Sequence, residues 1–139
     1  AMTIDLLPTI AEMIDAKLPG HRIDGKNILP LMLSDDSKSP QKAYYFYYGN
    51  QLQAVRQGKW KLHFPHGYRT MAGKPGGTGG IPTNYFQAKI ELSLFNLEED
   101  IGESKNLKEE YPNIVTRLSE LGKKFNEKLK KTKRQPGKI

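Results

Sequence analysis

The sequence contains no cysteine among its 139 residues. It therefore forms no disulfide bond, and it offers no thiol nucleophile, no cysteine-ligated zinc site and no iron–sulfur cluster. It also has no run approaching the roughly 18 consecutive apolar residues that a membrane-spanning helix needs. No secretory signal peptide is recognisable at its start. These absences exclude thiol chemistry and a membrane-spanning role.

Basic residues are in excess, with a net charge of +7, but they are unevenly distributed. From residue 123 to the end there are eight basic residues and one acid, Glu127, which accounts for the whole excess. The eight are Lys123, Lys124, Lys128, Lys130, Lys131, Lys133, Arg134 and Lys138. The basicity therefore belongs to the C-terminal end and is not spread over a recognition groove, which makes nucleic acid an unexpected partner.

The length predicts a single domain over residues 1–139. Residues 1–42 are interpreted as an N-terminal helix, over 5–16, followed by a connector. Leu6, Ile10, Met13 and Ile14 recur with the period of a helix and predict one apolar stripe. Asp5 is the expected N-cap.

Residues 43–97 predict an antiparallel sheet of four strands, at 43–48, 51–57, 59–64 and 92–97, with a long loop over 65–91. The third strand alternates strictly, with Trp60, Leu62 and Phe64 on one face and Lys59, Lys61 and His63 on the other. Five of the eight residues from 73 to 80 are glycine, but this segment lacks the Gly-Lys-Ser/Thr ending of a phosphate-binding loop.

Residues 111–132 predict a long amphipathic helix, and residues 133–139 a basic tail. The apolar face of the sheet and the apolar stripe of this helix can bury each other, because each lacks a partner of its own. The fold class is therefore α+β: a four-stranded antiparallel sheet packed against a long C-terminal amphipathic helix, with an additional N-terminal helix.

Several short phrases, in order over residues 3–122, resemble the formylglycine-dependent sulfatases of the arylsulfatase A-like family. They are residues 5–10 (DLLPTI), 24–31 (DGKNILPL), 54–62 (AVRQGKWKL), 94–97 (LFNL), 100–103 (DIGE) and 106–107 (NL). The resemblance implies the C-terminal subdomain of a sulfuric ester hydrolase. Sulfatases of this group end in such a sheet packed on a helix, in agreement with the pattern analysis.

The resemblance also implies which parts of the enzyme are not encoded here. The family nucleophile is a formylglycine made from Cys or Ser in a Cys/Ser-x-Pro-x-Arg motif, and no serine of this chain has that context. The family's calcium site and sulfate-binding Lys and His residues are expected upstream. We therefore expect no catalytic residue, no metal site and no cofactor in this chain, and no activity from it alone, whereas the parent enzyme uses calcium and formylglycine.

Candidate substrate contacts follow from the same resemblance, because the loop after the third strand lies near the cleft of related sulfatases. His66, Tyr68 and Arg69 are the first candidates, since His and Arg side chains can bind sugar or sulfate oxygens. His63 and Lys61 are weaker candidates. The alternative for each is an ordinary exposed strand or loop residue, and two histidines without a suitably spaced third ligand do not predict a metal site.

Other segments have simpler interpretations. The aromatic run 44–48 is expected to contribute to the core and to a sheet face that packs on the missing N-terminal domain, and the acidic turn 98–103 is expected to be solvated. The partners implied are that domain of the same polypeptide and a sulfated substrate, with carbohydrate among the options. The location implied is periplasmic or secreted. The alternative function is a basic binding module for sulfated polyanions or nucleic acid.

Overall fold

The computed structural model describes residues 1–71 and 73–133. The chain divides into two compact units, Ala1–Lys42 and Ala43–Ile139. This boundary coincides with the predicted junction between the connector and the sheet. That residues 1–139 form a single domain stays a prediction, and each unit is described by itself.

The first unit contains a short 3-10 turn at Thr3–Asp5, helix α1 at Leu6–Met13 and helix α2 at Leu29–Leu33. The prediction that Asp5 caps the first helix is wrong, because its backbone is already helical and its side chain makes no capping bond. Its buried carboxylate instead accepts hydrogen bonds from the Lys26 N–H at 2.9 Å, the Met2 N–H at 2.9 Å and the Gln41 amide at 2.7 Å. Burial alone would raise the pKa of Asp5, but these hydrogen bonds outweigh it and hold the pKa below its usual value.

Two further contacts join the sequence segments 5–10 and 24–31. The Thr9 hydroxyl donates to the Asp5 carbonyl at 2.6 Å and accepts from the Ile28 N–H at 3.0 Å. Gly25 is required by close approach of the backbone, because a Cβ atom there would lie 1.9 Å from the Ile4 carbonyl oxygen. The carboxylate, the hydroxyl and the glycine therefore hold the chain after residue 24 against the start of α1.

The apolar stripe predicted for the first helix is exposed. Leu6, Ile10 and Ile14 expose 55%, 52% and 67% of their surface, whereas Pro8, Thr9 and Ala11 are buried. The sequence therefore has the period of a helix, but the most apolar side of α1 does not form the core of this small unit.

The second unit contains six strands: β1 Tyr44–Tyr48, β2 Gln51–Gln57, β3 Trp60–His63, β4 His66–Thr70, β5 Phe86–Ile90 and β6 Ser93–Asn96. The predicted sheet has the strand order β1-β2-β3-β6, and all neighbours in it are antiparallel. An irregularity between Phe46 and Tyr47 shifts the register of the first pair. The α+β prediction and its four strands are thus confirmed.

Helix α3, Pro112–Thr132, covers one face of this sheet. The buried core joins Val55, Leu62 and Leu94 of the sheet to Leu118 of the helix. Gly122 makes the close packing possible, because a Cβ atom there would lie 2.8 Å from the Phe64 ring and 2.9 Å from Val55. Among the described residues, no helix is long and apolar enough to cross a bilayer.

The segment 65–91, predicted as one long loop, contains a hairpin. Strands β4 His66–Thr70 and β5 Phe86–Ile90 pair antiparallel as a separate two-stranded sheet. The alternation along 66–70 is too polar to signal a strand, so only the pairing with the distant 86–90 segment reveals it. Of the predicted basic tail 133–139, residues 134–139 lie outside the described part.

Candidate functional site

The face of the large sheet opposite α3 carries charged and polar side chains. Leu62 points toward α3, so its neighbours Lys61 and His63 point to the other side by strand alternation. In the register, Lys61 stands beside Phe95 and His63 beside Ser93 on the neighbouring strand. The sheet therefore has one apolar face for the helix and one face built partly from ionisable groups.

Glu103 joins two of these groups. Its Oε1 accepts from the Lys61 ammonium, and its Oε2 lies 2.8 Å from Nε2 of His63. The three side chains are largely buried, with 16%, 13% and 24% exposure for Lys61, His63 and Glu103. The Lys61 ammonium also lies 4.8 Å from the centre of the Phe46 ring. We call Lys61, His63, His66 and Glu103 the polar cluster.

The turn after β6 positions Glu103. The Asp100 carboxylate accepts hydrogen bonds from the Ser104 N–H, the Ser104 hydroxyl and the Lys105 N–H at 2.7, 3.0 and 2.8 Å. The Lys105 N–H is the main cause that holds the pKa of Asp100 below its ordinary value. Glu103 itself adopts a φ of 55°, a left-handed conformation that non-glycine residues rarely take. The expectation of a solvated acidic turn is therefore wrong for Glu103.

The arrangement favours the neutral form of His63 by lowering the pKa of its ring. Burial lowers its pKa, the Lys61 ammonium lowers it further, and Glu103 acts in the opposite direction without reversing the shift. A neutral ring that meets a carboxylate through Nε2 carries its hydrogen there and donates it. The other ring nitrogen, Nδ1, is then a buried acceptor, and it has no hydrogen-bond partner within the described residues.

His66 stacks on His63, with ring centres 5.5 Å apart. Its Nδ1 lies 2.7 Å from the carbonyl oxygen of Phe64, which can only accept, so Nδ1 carries a hydrogen. The lone pair of neutral His66 is then on Nε2. His66 can accept a hydrogen bond at Nε2 when neutral and donate one when protonated.

Tyr68 and Arg69 line a separate pocket of about 430 Å³ on the same unit, together with Tyr48, Gln53, Gly67 and Gln87. We call this the Arg69 pocket. The Arg69 guanidinium lies 5.7 Å from the centre of the Tyr85 ring, and Tyr68 contacts the His66 ring edge-on at 6.3 Å. The pocket thus combines a cation, phenol groups and amides, which is chemistry suited to an anionic sugar derivative.

The structure therefore divides the five predicted contact residues into two neighbouring groups. Lys61, His63 and His66 belong to the polar cluster, whereas Tyr68 and Arg69 line the Arg69 pocket. Sequence reasoning missed Glu103. The available signal was the row of basic groups on one face of β3, which requires a counter-charge once that face is partly buried.

Comparison with known proteins identifies the family of this chain. A family model described as the C-terminal region of aryl-sulfatase matches residues 39–139. The chain belongs to this sulfatase family. The matched region contains the whole sheet, α3, the polar cluster and the Arg69 pocket.

Two curated relatives show what such regions belong to. Arylsulfatase A of Bos taurus is 37% identical over 77% of this chain and 22% of its own length. N-acetylgalactosamine-6-sulfatase of Mus musculus is 28% identical over 91% of this chain and 26% of its own length. The chain therefore spans roughly a quarter or less of the curated sulfatases it matches.

A solved structure supports the fold. The PsFucS1 sulfatase from Pseudoalteromonas sp. superimposes with a TM-score of 0.70 at 19% identity, over 94% of this chain and 26% of the other. At this identity the similarity concerns the fold alone.

The residues present do not fit the cofactors implied by the family. The chain has no cysteine, and none of its serines lies in the nucleophile motif. Within residues 1–71 and 73–133, no group of three or more His, Asp or Glu side chains could hold a metal ion. The described residues therefore contain no precursor motif for formylglycine and no cluster of three acidic or histidine side chains for a metal ion.

Proposed function

We propose that this chain is the C-terminal part of a sulfatase that hydrolyses a sulfate ester of a carbohydrate. The family match over residues 39–139 carries the proposal, and the arylsulfatase A and N-acetylgalactosamine-6-sulfatase relatives support it. In this reaction the sulfate ester and water react to give an alcohol and inorganic sulfate. The choice of carbohydrate also rests on the amide, phenol and guanidinium groups of the Arg69 pocket.

The chain alone is inactive under this proposal. Breaking a sulfate ester needs an activated nucleophile and cationic groups that stabilise the charge on the sulfate. The nucleophile motif is absent here, so the formylglycine and the calcium are contributed by another part of the parent polypeptide. That part is the principal partner of this chain.

The exposed apolar side of α1 supports such a partner. Leu6, Leu7, Ile10, Met13 and Ile14 each expose more than half of their surface, which is unusual for so many neighbouring apolar residues. The relatives are about four times as long or more, so the same polypeptide can supply the covering surface. Burial against the remainder of the sulfatase removes this apolar side from water.

The polar cluster and the Arg69 pocket form part of the rim of the substrate cleft in this proposal. The Arg69 guanidinium pairs with an anionic group of the substrate, and Nε2 of His66 contacts a sugar hydroxyl or a sulfate oxygen. Glu103 is a positioning residue, since it holds the His63 ring on which His66 stacks, and the Lys61 ammonium in turn donates to Glu103. The parent enzyme acts in the periplasm or outside the cell.

An activity comparison tests the proposal. The 139-residue chain and the complete parent polypeptide are assayed with 4-nitrocatechol sulfate and a panel of sulfated monosaccharides, with calcium present. We expect turnover only from the complete polypeptide. Turnover by the chain alone, or none by the folded parent on any sulfate ester, would contradict the proposal, and cell fractionation of the parent tests its location.

A further inference from the structure

A second groove lies on the sheet unit, between the β1–β2 turn and helix α3. It encloses about 730 Å³. Asn50 of the turn and Gln51 at the start of β2 form one side, and Lys123, Asn126 and Lys130 of α3 form the other. Phe64 also lines the groove. We call this the Lys123 groove.

The helix presents an ordered row of polar groups to this groove. Lys123, Asn126 and Lys130 are spaced i, i+3 and i+7, so they lie on one side of α3, with the two lysines about 10 Å apart along the axis. The Tyr47 hydroxyl donates to Oδ1 of Asn126 at 3.1 Å, which leaves the Asn126 amide hydrogens free to act as donors. The row is therefore cation, amide donor, cation.

Within the described residues, the two groove lysines, Lys123 and Lys130, have no acidic side chain as an ion-pair partner. Between residues 123 and 133 there are six lysines and one acid, Glu127, so the local field is strongly positive. Such a surface attracts a ligand that carries several negative charges.

Tyr48 connects the Lys123 groove to the Arg69 pocket, because it lines both. Its side chain is 68% exposed, so its ring face is available to a ligand. One extended ligand can therefore occupy the pocket, pass Tyr48 and continue into the groove. A short ligand would reach only one of the two.

We propose that the Lys123 groove binds sulfate groups of a sulfated oligosaccharide chain whose reacting unit lies beyond the Arg69 pocket. The proposal rests on the proposed sulfatase function and adds that the substrate is a polymer or oligomer. The two lysines bind successive sulfates, the Asn126 amide donates to sugar hydroxyls, and Tyr48 contacts a sugar face. A carbohydrate is favoured over nucleic acid because the described lining of the groove has amide groups, no arginine and a single exposed aromatic ring.

Binding of a heparin octasaccharide to the 139-residue chain tests the groove directly, by calorimetry at about 0.15 M salt. The double variant Lys123→Gln/Lys130→Gln removes the two groove cations. The control Lys124→Gln/Lys131→Gln removes the same charge, with the same seven-residue spacing, from outside the groove lining. We expect the groove pair to weaken binding at least tenfold and the control pair about twofold.

Equal losses of heparin affinity in the two double variants would overturn the proposal for the groove, because they would show that the total charge of the helix attracts the ligand. Equal affinity for a non-sulfated octasaccharide of the same backbone, or for single-stranded DNA of matched charge, would overturn the ligand class. Circular dichroism of each variant verifies that these exposed substitutions leave the fold intact.

The complete polypeptide separates this proposal from the sulfatase function itself. The groove variants should keep full activity on 4-nitrocatechol sulfate and lose activity only on long sulfated chains. Equal rates on long and short substrates in wild type and variants would overturn the groove while the sulfatase function stands. A parent without any sulfatase activity would refute that function. The comparison of the groove and control variants in the heparin-binding experiment would then still decide whether the Lys123 groove binds sulfated chains.

Discussion

The carboxylate of Glu103 lies 2.8 Å from Nε2 of His63, although forty residues separate them in the chain. This contact joins the turn after β6 to the polar face of β3 and places Lys61 and His63 on a single acceptor. It converts a row of basic side chains into an organised cluster. Removing the acceptor leaves two donors partly buried without their partner.

Glu103→Gln should destabilise the sheet unit by about 2 kcal/mol, since breaking a buried charge pair costs about 3–5 kcal/mol and partial exposure reduces this. Urea unfolding of the chain measures the change. Glu98→Gln is the matched control, because Glu98 pairs with Lys59 at 3.8 Å and is 70% exposed. The control should change stability by less than about 0.5 kcal/mol. Equal effects from both variants would show that Glu103 does not organise the cluster.

The stability of the chain should decrease as the pH falls below about 6.5, the ordinary pKa of histidine. The pKa of His63 is lowered in the folded state, chiefly by burial and then by Lys61. Its stabilising contribution is therefore present above the unfolded pKa and is lost as the pH falls through the folded pKa. Unfolding free energies measured from pH 8 to pH 5 test this.

His63→Gln should flatten this pH dependence, whereas His21→Gln should leave it unchanged because His21 is exposed and lies in the first unit. Asp5 and Asp100 have lowered pKa values, so their contributions are lost only at pH values below about 4. A slope that persists unchanged in His63→Gln would contradict the assignment.

Gly122→Val should destabilise the sheet unit by about 2–3 kcal/mol, because the new atoms would overlap the Phe64 ring and Val55. Lys124→Val, at an exposed position of the same helix, is the control, and its lower helix propensity should cost about 0.5 kcal/mol. Thermal unfolding of both variants measures the difference. Similar melting temperatures would show that α3 can move away from the sheet at no cost.

Asp5→Asn should loosen the start of the first unit. The amide side chain keeps the size but has only one acceptor oxygen for the donors of Met2, Lys26 and Gln41. Hydrogen exchange of the Lys26 amide should become faster. Asp24→Asn is the control, because Asp24 is exposed, and unchanged Lys26 exchange in Asp5→Asn would refute the role of Asp5.

His66→Ala in the complete sulfatase should lower kcat/KM about tenfold on the best sulfated sugar of a panel, the value of one lost charge-assisted hydrogen bond of about 1.4 kcal/mol. Arg69→Gln should act in the same direction, mainly through KM, because it removes the charge that we propose binds the substrate. His21→Ala is the control. Wild-type kinetics in His66→Ala and Arg69→Gln would contradict the proposal that these residues line the substrate cleft.

The strands and the last helix were predictable because their signals are local. The alternation of Trp60, Leu62 and Phe64 identifies β3, and the proline at position 112 together with the apolar period identifies α3. The hairpin of β4 and β5 was not predictable in this way, since its polar strands depend on pairing across about fifteen residues of intervening chain. The prediction that Asp5 caps the first helix was wrong because a 3-10 turn precedes α1.

The residues alone determined the α+β class, the basic C-terminal end, the absence of a nucleophile motif and the resemblance to sulfatases, since all of these are properties of composition and short-range order. Tertiary structure decided that Glu103 joins Lys61 and His63, and that Tyr48 lines both the Arg69 pocket and the Lys123 groove. Such contacts join residues tens of positions apart, and no local pattern encodes which side chains meet. They depend on the register of the strands and on one left-handed residue in a turn.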